Sequence, residues 1–252
     1  MILDCVISAC NENPLYIEFV PYFIKTWKKL YPNVDVKVIL IANNIPNELI
    51  EYTNNLILFH PLENISTAFI SQYIRLLYPA ILNYKNGILI TDIDMIPMNR
   101  TYYTKNIENI PDNKFIYMRD AMLEAKEIAM CYNVALNVTW KEIFGINNLD
   151  DVINILKDVY KSIEYVDGHN NKGWNIDQIN FFNYVMNWNN KTKNFVVLSD
   201  KNTNFSRLCR DSFMQPNNLF VNLVRNGFFS DYHCLRPYHA YKDINEHIYN
   251  LL

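Results

Sequence analysis

Two carboxylates with one residue between them, Asp92 and Asp94, are the side chains most suited to chemistry. They follow an apolar run at residues 88–90, which predicts a short buried strand. Ligands of open α/β sheets bind beyond the carboxyl ends of strands, so a cleft is expected here. Two oxygen donors at this spacing can bind one Mg2+ or Mn2+ ion, which indicates a metal-held polyphosphate substrate. The triplet also occurs by chance, and acidic residues after strands often only cap turns.

Composition excludes several classes of protein. With 252 residues, half of them hydrophobic, the chain can bury a full-sized core, and a net charge of -3 disfavours a nucleic-acid partner. The five scattered cysteines contain no C-x-x-C pair, which predicts free thiols that fill the core in a reducing compartment. No apolar run is long enough for a membrane span and no signal peptide is visible, so we expect a soluble cytoplasmic protein. The bias toward Asn, Ile, Lys and Tyr suggests an AT-rich parasite or viral genome, and a viral protein would act in the host cytoplasm or virion.

Strand and helix patterns alternate ahead of the acidic pair. They predict strands at 3–8, 34–41 and 56–59 and helices at 15–30 and 46–52. This alternation is typical of a parallel sheet with right-handed crossovers.

A longer helix, predicted at 65–82, leads directly into the acidic strand and carries Arg75 on a polar side with Ser71 and Gln72. Arg75 could orient one aspartate through a charge-assisted hydrogen bond, or it could be an ordinary solvated arginine.

The pattern becomes less regular after Pro111. Strands are predicted at 115–118 and 130–138, helices at 120–129 and 150–163, and one more strand from residue 195. Another helix begins near residue 175 or 176, so Asp177 and Gln178 fall in its first turn, where capping alone could explain the acid. We expect one domain over residues 1–252, with a nucleotide- and metal-binding half at about 1–100 and a more irregular half at about 101–252.

The order of these motifs resembles the GT-A glycosyltransferases, in particular the family of glycogenin and the bacterial lipooligosaccharide galactosyltransferases. The segments that carry the resemblance are "SQYIRLLYPAIL", "LITDIDMIP", "CYNVALNV", "WNIDQINFFNYV" and "YHCLRPY". The resemblance implies a Rossmann-like α/β fold, with a mixed and mostly parallel sheet flanked by helices. The resemblance also makes residues from about 101 to 252 the sugar and acceptor half. The chain departs from the family at Val134 and Ala135, where a glycine is usual, and at Arg236, an arginine that lies closer to His233 than the usual basic residue does.

The resemblance also implies a reaction. A nucleoside diphosphate sugar, most often UDP-linked, would donate its sugar to a hydroxyl of a glycan, protein or small molecule, with Mn2+ or Mg2+ as cofactor. The implied roles are as follows: Asp92, Asp94 and His233 for the metal; Ala9, Cys10, Asn11, Arg75, Asp92, Asn133 and Arg236 for the donor; Asp177 and Gln178 at the reacting carbon.

Several alternatives stay open on sequence alone. His239 competes with His233 as metal ligand, and Asp177 would be the base only in an inverting reaction. The chain could instead be an inactive protein that binds nucleotide sugars or carbohydrate. It could also be a phosphatase of the haloacid dehalogenase type, although that motif normally follows the first strand and no Gly-Asp-x-x-x-Asp follows here.

Overall fold

The structure is a computed structural model that describes residues 1–213 and 216–252. The strands of these ranges are β1 (Leu3–Asn11), β2 (Asp35–Ile41), β3 (Leu56–Phe59), β4 (Gly87–Ile90), β5 (Met95–Pro97), β6 (Phe115–Tyr117), β7 (Asn133–Ala135), β8 (Phe195–Val197), β9 (Arg207–Cys209) and β10 (Asp231–His233). The α-helices are α1 (Pro14–Ile17), α2 (Val20–Leu30), α3 (Thr67–Leu77), α4 (Tyr102–Lys105), α5 (Asn137–Phe144), α6 (Leu149–Ser162), α7 (Ile176–Thr192), α8 (Asp200–Thr203), α9 (Asn218–Arg225) and α10 (Lys242–Leu251). Short 3-10 helices span Asn47–Asn55, Tyr78–Ile81, Leu123–Ala125, Arg210–Ser212 and His239–Tyr241.

The larger sheet has seven strands in the order β3-β2-β1-β4-β7-β6-β8. Strands β3, β2, β1 and β4 are parallel, whereas β7 runs antiparallel to both β4 and β6. This mixed, mostly parallel sheet with flanking helices confirms the predicted α/β class. Strand β4 is buried at every residue, as expected for a parallel strand covered on both faces.

A second sheet joins distant parts of the chain. Its order is β5-β10-β9, so β5, just after the acidic pair, lies against the strand that ends at His233. Backbone bonds connect the acidic segment to both sheets, because Thr91 donates to the Ile7 carbonyl at 3.1 Å and Cys234 donates to the Asp94 carbonyl at 2.9 Å. The acidic pair therefore lies at the junction of the two sheets.

Most of the predicted elements before Pro111 are confirmed. The predicted helix at 15–30 is two helices, and the helix at 65–82 ends in a 3-10 turn over Tyr78–Ile81, where Pro79 cannot donate a helical hydrogen bond.

After Pro111, one predicted element is wrong and another is confirmed only in part. Residues 120–129 form only the 3-10 turn Leu123–Ala125, because Met122 and Lys126 have positive φ angles that flank it. The predicted strand at 130–138 is limited to β7, since Tyr132 also has positive φ and α5 begins at Asn137. Within the described ranges, no helix combines the length and the hydropathy needed to cross a membrane.

Candidate active site

A cleft of about 480 Å³ opens at the carboxyl ends of β1 and β4. It is lined by Asp92 and Asp94, by the end of β1, by α3, by the start of α7 and by the segments around β9 and β10. The lining includes most of the residues that the sequence predicts for the site: Ala9, Cys10, Asn11, Arg75, Asp92, Asp94, Asp177, Gln178, His233 and Arg236. The fold therefore brings together side chains that are far apart in the sequence.

Asp92 is held from the side of α3. Its Oδ1 forms an ion pair with the Arg75 guanidinium, and its Oδ2 accepts a hydrogen bond from the Cys131 thiol at 2.8 Å. Burial raises the pKa of Asp92, but the charge of Arg75 and the bond from Cys131 outweigh it and lower this pKa to about 2. Arg75 is itself buried, so it is an orienting residue and not a solvated surface arginine.

Asp94 is held from the side of the small sheet. Its Oδ2 accepts a hydrogen bond from Arg210 Nη2 at 2.8 Å, and Arg236 Nη1 lies 3.7 Å from the same oxygen. His233 Nε2 is 3.8 Å from this oxygen and also contacts Arg210 Nη2. Burial lowers the pKa of His233 to about 4, although Asp94 opposes the shift, so its imidazole is neutral near pH 7.

The donor set at Asp94 and His233 fits a divalent cation, because a carboxylate oxygen and a neutral imidazole nitrogen point toward a common position. Asp92 differs, since Arg75 and Cys131 engage its two oxygens. Across residues 1–213 and 216–252, no three acidic, histidine or cysteine side chains form a complete metal-binding group. Two of the three predicted ligands are thus arranged around one position, and that position is taken by Arg210.

His239, the competing histidine of the sequence, lies elsewhere. Its ring is exposed and its Nδ1 is 2.9 Å from a carboxylate oxygen of Glu18. His239 does not line the cleft, whereas His233 does.

Asp177 lies at the floor of the cleft in the first turn of α7, with 1% of its surface exposed. Its Oδ2 is 3.7 Å from Arg75 Nη2, and its Oδ1 accepts a hydrogen bond from the Gln178 backbone at 2.9 Å. Burial raises the pKa of Asp177 to about 7, although Arg75 opposes this shift. One arginine therefore holds Asp92 ionised, while Asp177 is balanced between its two protonation states.

An aromatic wall, made of Tyr16, Tyr165, His169 and Trp174, lines the cleft. Gln72 of α3 supports it, because its amide donates to the Trp174 carbonyl and its Oε1 accepts from the Tyr165 hydroxyl at 3.1 Å. Gly173 adopts φ +79, and a Cβ there would lie 2.9 Å from the Glu164 carbonyl. The loop can present Tyr165, His169 and Trp174 to the cleft because glycine occupies position 173.

Asn133 does not join the other predicted residues. It is fully buried, and its amide donates to the Ala129 carbonyl at 2.6 Å and to the Cys131 carbonyl at 3.0 Å. The cleft is lined instead by residues 129–131, which Asn133 supports from behind.

The sequence predicts no role for Arg210 and predicts that Cys131 only fills the core. Both line the cleft and contact one of the paired aspartates. Cys131 lies within the segment "CYNVALNV", so its place near the acidic strand could have been inferred from the pairing of β4 with β7. No local signal identifies Arg210.

A search of solved structures finds glycosyltransferases. The galactosyltransferase LgtC, solved with donor and acceptor sugar analogues, is 13% identical with a TM-score of 0.50 over 98% of this chain and 96% of its own. The glycosyltransferase GlyE of Streptococcus pneumoniae TIGR4 is 15% identical with a TM-score of 0.45, over 80% of this chain and 46% of its own. No protein-family model and no curated protein matches the chain. The chain accordingly has the GT-A glycosyltransferase fold, which confirms the fold class expected from its sequence.

Proposed function

We propose that the chain is a metal-dependent glycosyltransferase that moves a hexose from a nucleoside diphosphate sugar, most simply a UDP-sugar, to a hydroxyl acceptor. The observation that carries the proposal is the composition of the cleft. The paired carboxylates beyond β4 share the cleft with Arg207, Arg210 and Arg236. Arg207 is paired with the buried Asp231, whereas Arg210 and Arg236 both lie close to the single carboxylate of Asp94. Such a set suits a diphosphate together with a cation.

Asp94 and His233 would hold the divalent ion, and Asp92 would join them. When bound, the ion supplies positive charge to the departing diphosphate. Arg236 adds a cation on the same side, and its Nη1 is positioned by a 3.0 Å contact with the Tyr16 hydroxyl. The nucleoside would lie along Ala9, Cys10 and Asn11, where the side-chain amide of Asn11 donates to Thr67 Oγ1 at 3.1 Å.

The reacting carbon would face Asp177 and Gln178. A carboxyl with a pKa near 7 can exchange a proton at neutral pH, which suits a base that accepts the proton of the acceptor hydroxyl in an inverting reaction. In a retaining reaction no strong base is needed, and Gln178 would instead orient the reacting centre. The aromatic wall offers flat faces to an acceptor sugar.

A second candidate is a protein that binds nucleotide sugars without transfer. The observation in its favour is that arginines engage both aspartates, Arg75 at Asp92 and Arg210 at Asp94. This candidate shares the donor site with the first and differs only in turnover.

One screen tests both candidates. UDP-, GDP- and CMP-sugars are each added with Mn2+, Mg2+ or EDTA, and thermal stability and released nucleotide are measured. We expect metal-dependent stabilisation by one nucleotide class and slow release of that nucleotide. Stabilisation without release, with every acceptor class supplied, would favour the binding protein, and no response to any nucleotide would refute both.

A further inference from the structure

Arg210 occupies a position that an ion would need. It follows β9 directly, and its Nη2 donates to Asp94 Oδ2 at 2.8 Å while contacting His233 Nε2. Asp94 and His233 are the two side chains whose donor atoms converge. The guanidinium is thus an internal cation at the predicted metal position.

Arg210 and a metal ion would both bind His233 through the same atom, Nε2. Arginine is always charged in proteins and can only donate hydrogen bonds, so a bond from Arg210 to His233 uses the lone pair of Nε2, in the tautomer that has its proton on Nδ1. A metal ion would coordinate this same lone pair and the same Asp94 oxygen. Two cations cannot share these two acceptors, because like charges at such short range repel strongly.

Not all of the hydrogen-bond donors of Arg210 have partners within residues 1–213 and 216–252. One nitrogen, Nη2, makes both contacts, whereas Nη1 is buried with no hydrogen-bond partner in the described part of the chain. A buried donor without a partner costs free energy, so this arrangement can be given up to a stronger ligand. Asp94 would keep a second cation after the exchange, since Arg236 Nη1 lies 3.7 Å from its Oδ2.

We infer that Arg210 competes with the divalent ion, so that the ion binds Asp94 and His233 only by displacing the guanidinium. The inference deepens the proposed function and rests on it for the choice of metal site. The displaced side chain remains in the cleft as a positive charge beside the incoming diphosphate. Arg210 is accordingly a positioning residue that sets how much free ion the site requires.

The test is a titration of Mn2+ without nucleotide, in which electron paramagnetic resonance counts the free ion. Arg210→Gln removes the competing charge, and Arg210→Lys keeps the charge but loses the planar fork. If the guanidinium fills its position about nine-tenths of the time, Arg210→Gln binds Mn2+ about tenfold more tightly than the wild-type chain. Arg210→Lys is expected between the two.

Arg225→Gln is the matched control. It removes the same charge from an exposed position on α9 outside the cleft and should leave Mn2+ affinity unchanged. Circular dichroism and thermal melting establish that every variant is folded.

Equal or weaker Mn2+ binding by Arg210→Gln would overturn the inference, and so would the absence of binding by every variant at millimolar ion. A separate UDP titration distinguishes failure of the proposed function. If Arg210→Gln tightens Mn2+ binding but no nucleotide binds, the competition stands and the transferase proposal fails.

Discussion

The two paired aspartates are close neighbours in sequence but are held by different regions of the molecule. Asp92 is paired with Arg75, which is 17 residues away on the preceding helix. Asp94 is paired with Arg210, which is 116 residues away, and also faces His233 and Arg236. The Asp92 side is a local ion pair between a buried arginine and a partly exposed carboxylate, and this pairing keeps the carboxylate ionised. On the Asp94 side, two arginines lie close to the one carboxylate of Asp94, an arrangement that can leave positive charge for an anionic ligand.

We expect Asp94 to matter chiefly for the reaction. Asp94→Asn preserves shape but removes the charge that opposes Arg210 and Arg236, and we expect donor turnover to fall about 100- to 1,000-fold. Released nucleotide, measured at saturating Mn2+, gives the loss. Asp158→Asn, which changes an exposed carboxylate on α6, should retain full activity. A metal-dependent Asp94→Asn enzyme with near-normal turnover would remove the distinction between the two sides.

The Asp92 side should matter more for stability. Arg75→Met leaves Asp92 and the buried Asp177 without their shared cation, and we expect a loss of about 3 kcal/mol in the free energy of unfolding. Urea unfolding measures it. Arg210→Met should cost less, because Arg236 remains near Asp94. Equal losses for the two arginine variants would contradict the comparison.

Asp177 shares Arg75 with Asp92, and we expect its protonation to set how the reaction rate depends on pH. If it accepts a proton from the acceptor hydroxyl, kcat/KM should fall about tenfold for each pH unit below its pKa of about 7. Asp177→Asn should abolish this dependence together with most of the turnover. An Asn variant with nearly normal turnover would exclude the base and favour the retaining reaction.

The same carboxyl affects stability in a direction that can be checked. The pKa of Asp177 is higher in the folded chain than in the unfolded chain, so the folded state holds this proton more tightly. The resulting stabilisation is complete below the usual pKa of 3.8 and is lost as the pH rises through about 7. Asp177→Asn should therefore lose less stability than the wild-type chain between pH 4 and pH 8 in urea unfolding. Parallel pH profiles of the two proteins would show that Asp177 is not the cause.

The smallest effect concerns Cys131. Its thiol donates to Asp92, so Cys131→Ala should cost about 1 kcal/mol and raise the low pKa of Asp92. The lowered pKa of Asp92 stabilises the folded chain above the usual value of 3.8, and this stabilisation is lost as the pH falls through about 2. Cys131→Ala should therefore unfold at a higher pH than the wild-type chain during acidification. Tryptophan fluorescence follows the transition, and Cys131→Ser should restore part of the difference. Coincident acid transitions for the wild-type and Ala chains would argue against the thiol.

The strands and contacts that could be predicted are those encoded by patterns within short segments of the sequence. Apolar runs predicted β1 to β4, and the position of Arg75 one helix before the acidic strand left two interpretations, of which pairing with an aspartate is the one observed. The errors lie where the backbone has positive φ, at Met122, Lys126 and Tyr132. Methionine, lysine and tyrosine rarely adopt positive φ, so their types did not predict it. Asn133 was predicted in the cleft, but the short β7 turns its side chain toward the backbone of residues 129–131.

The Asp94 side could be predicted only in part. His233 and Arg236 were found through the resemblance of "YHCLRPY" to a known family, which carries long-range information that periodicity lacks. Arg210 was not found, because its place depends on the parallel pairing of β9 with β10 and no short pattern encodes that pairing. Strands of only three residues give almost no periodic signal.

The pairing of β10 with β5 also has a consequence for the order of events during synthesis. The aspartates leave the ribosome early, with Arg75 and the first parallel strands, whereas the strands that bring Arg210 and His233 emerge much later. Contacts across so long a separation must close a large loop and therefore form late in folding. A nascent chain can thus complete most of its sheet while its site has only the Asp92 side, so catalytic competence would report that the whole chain has folded.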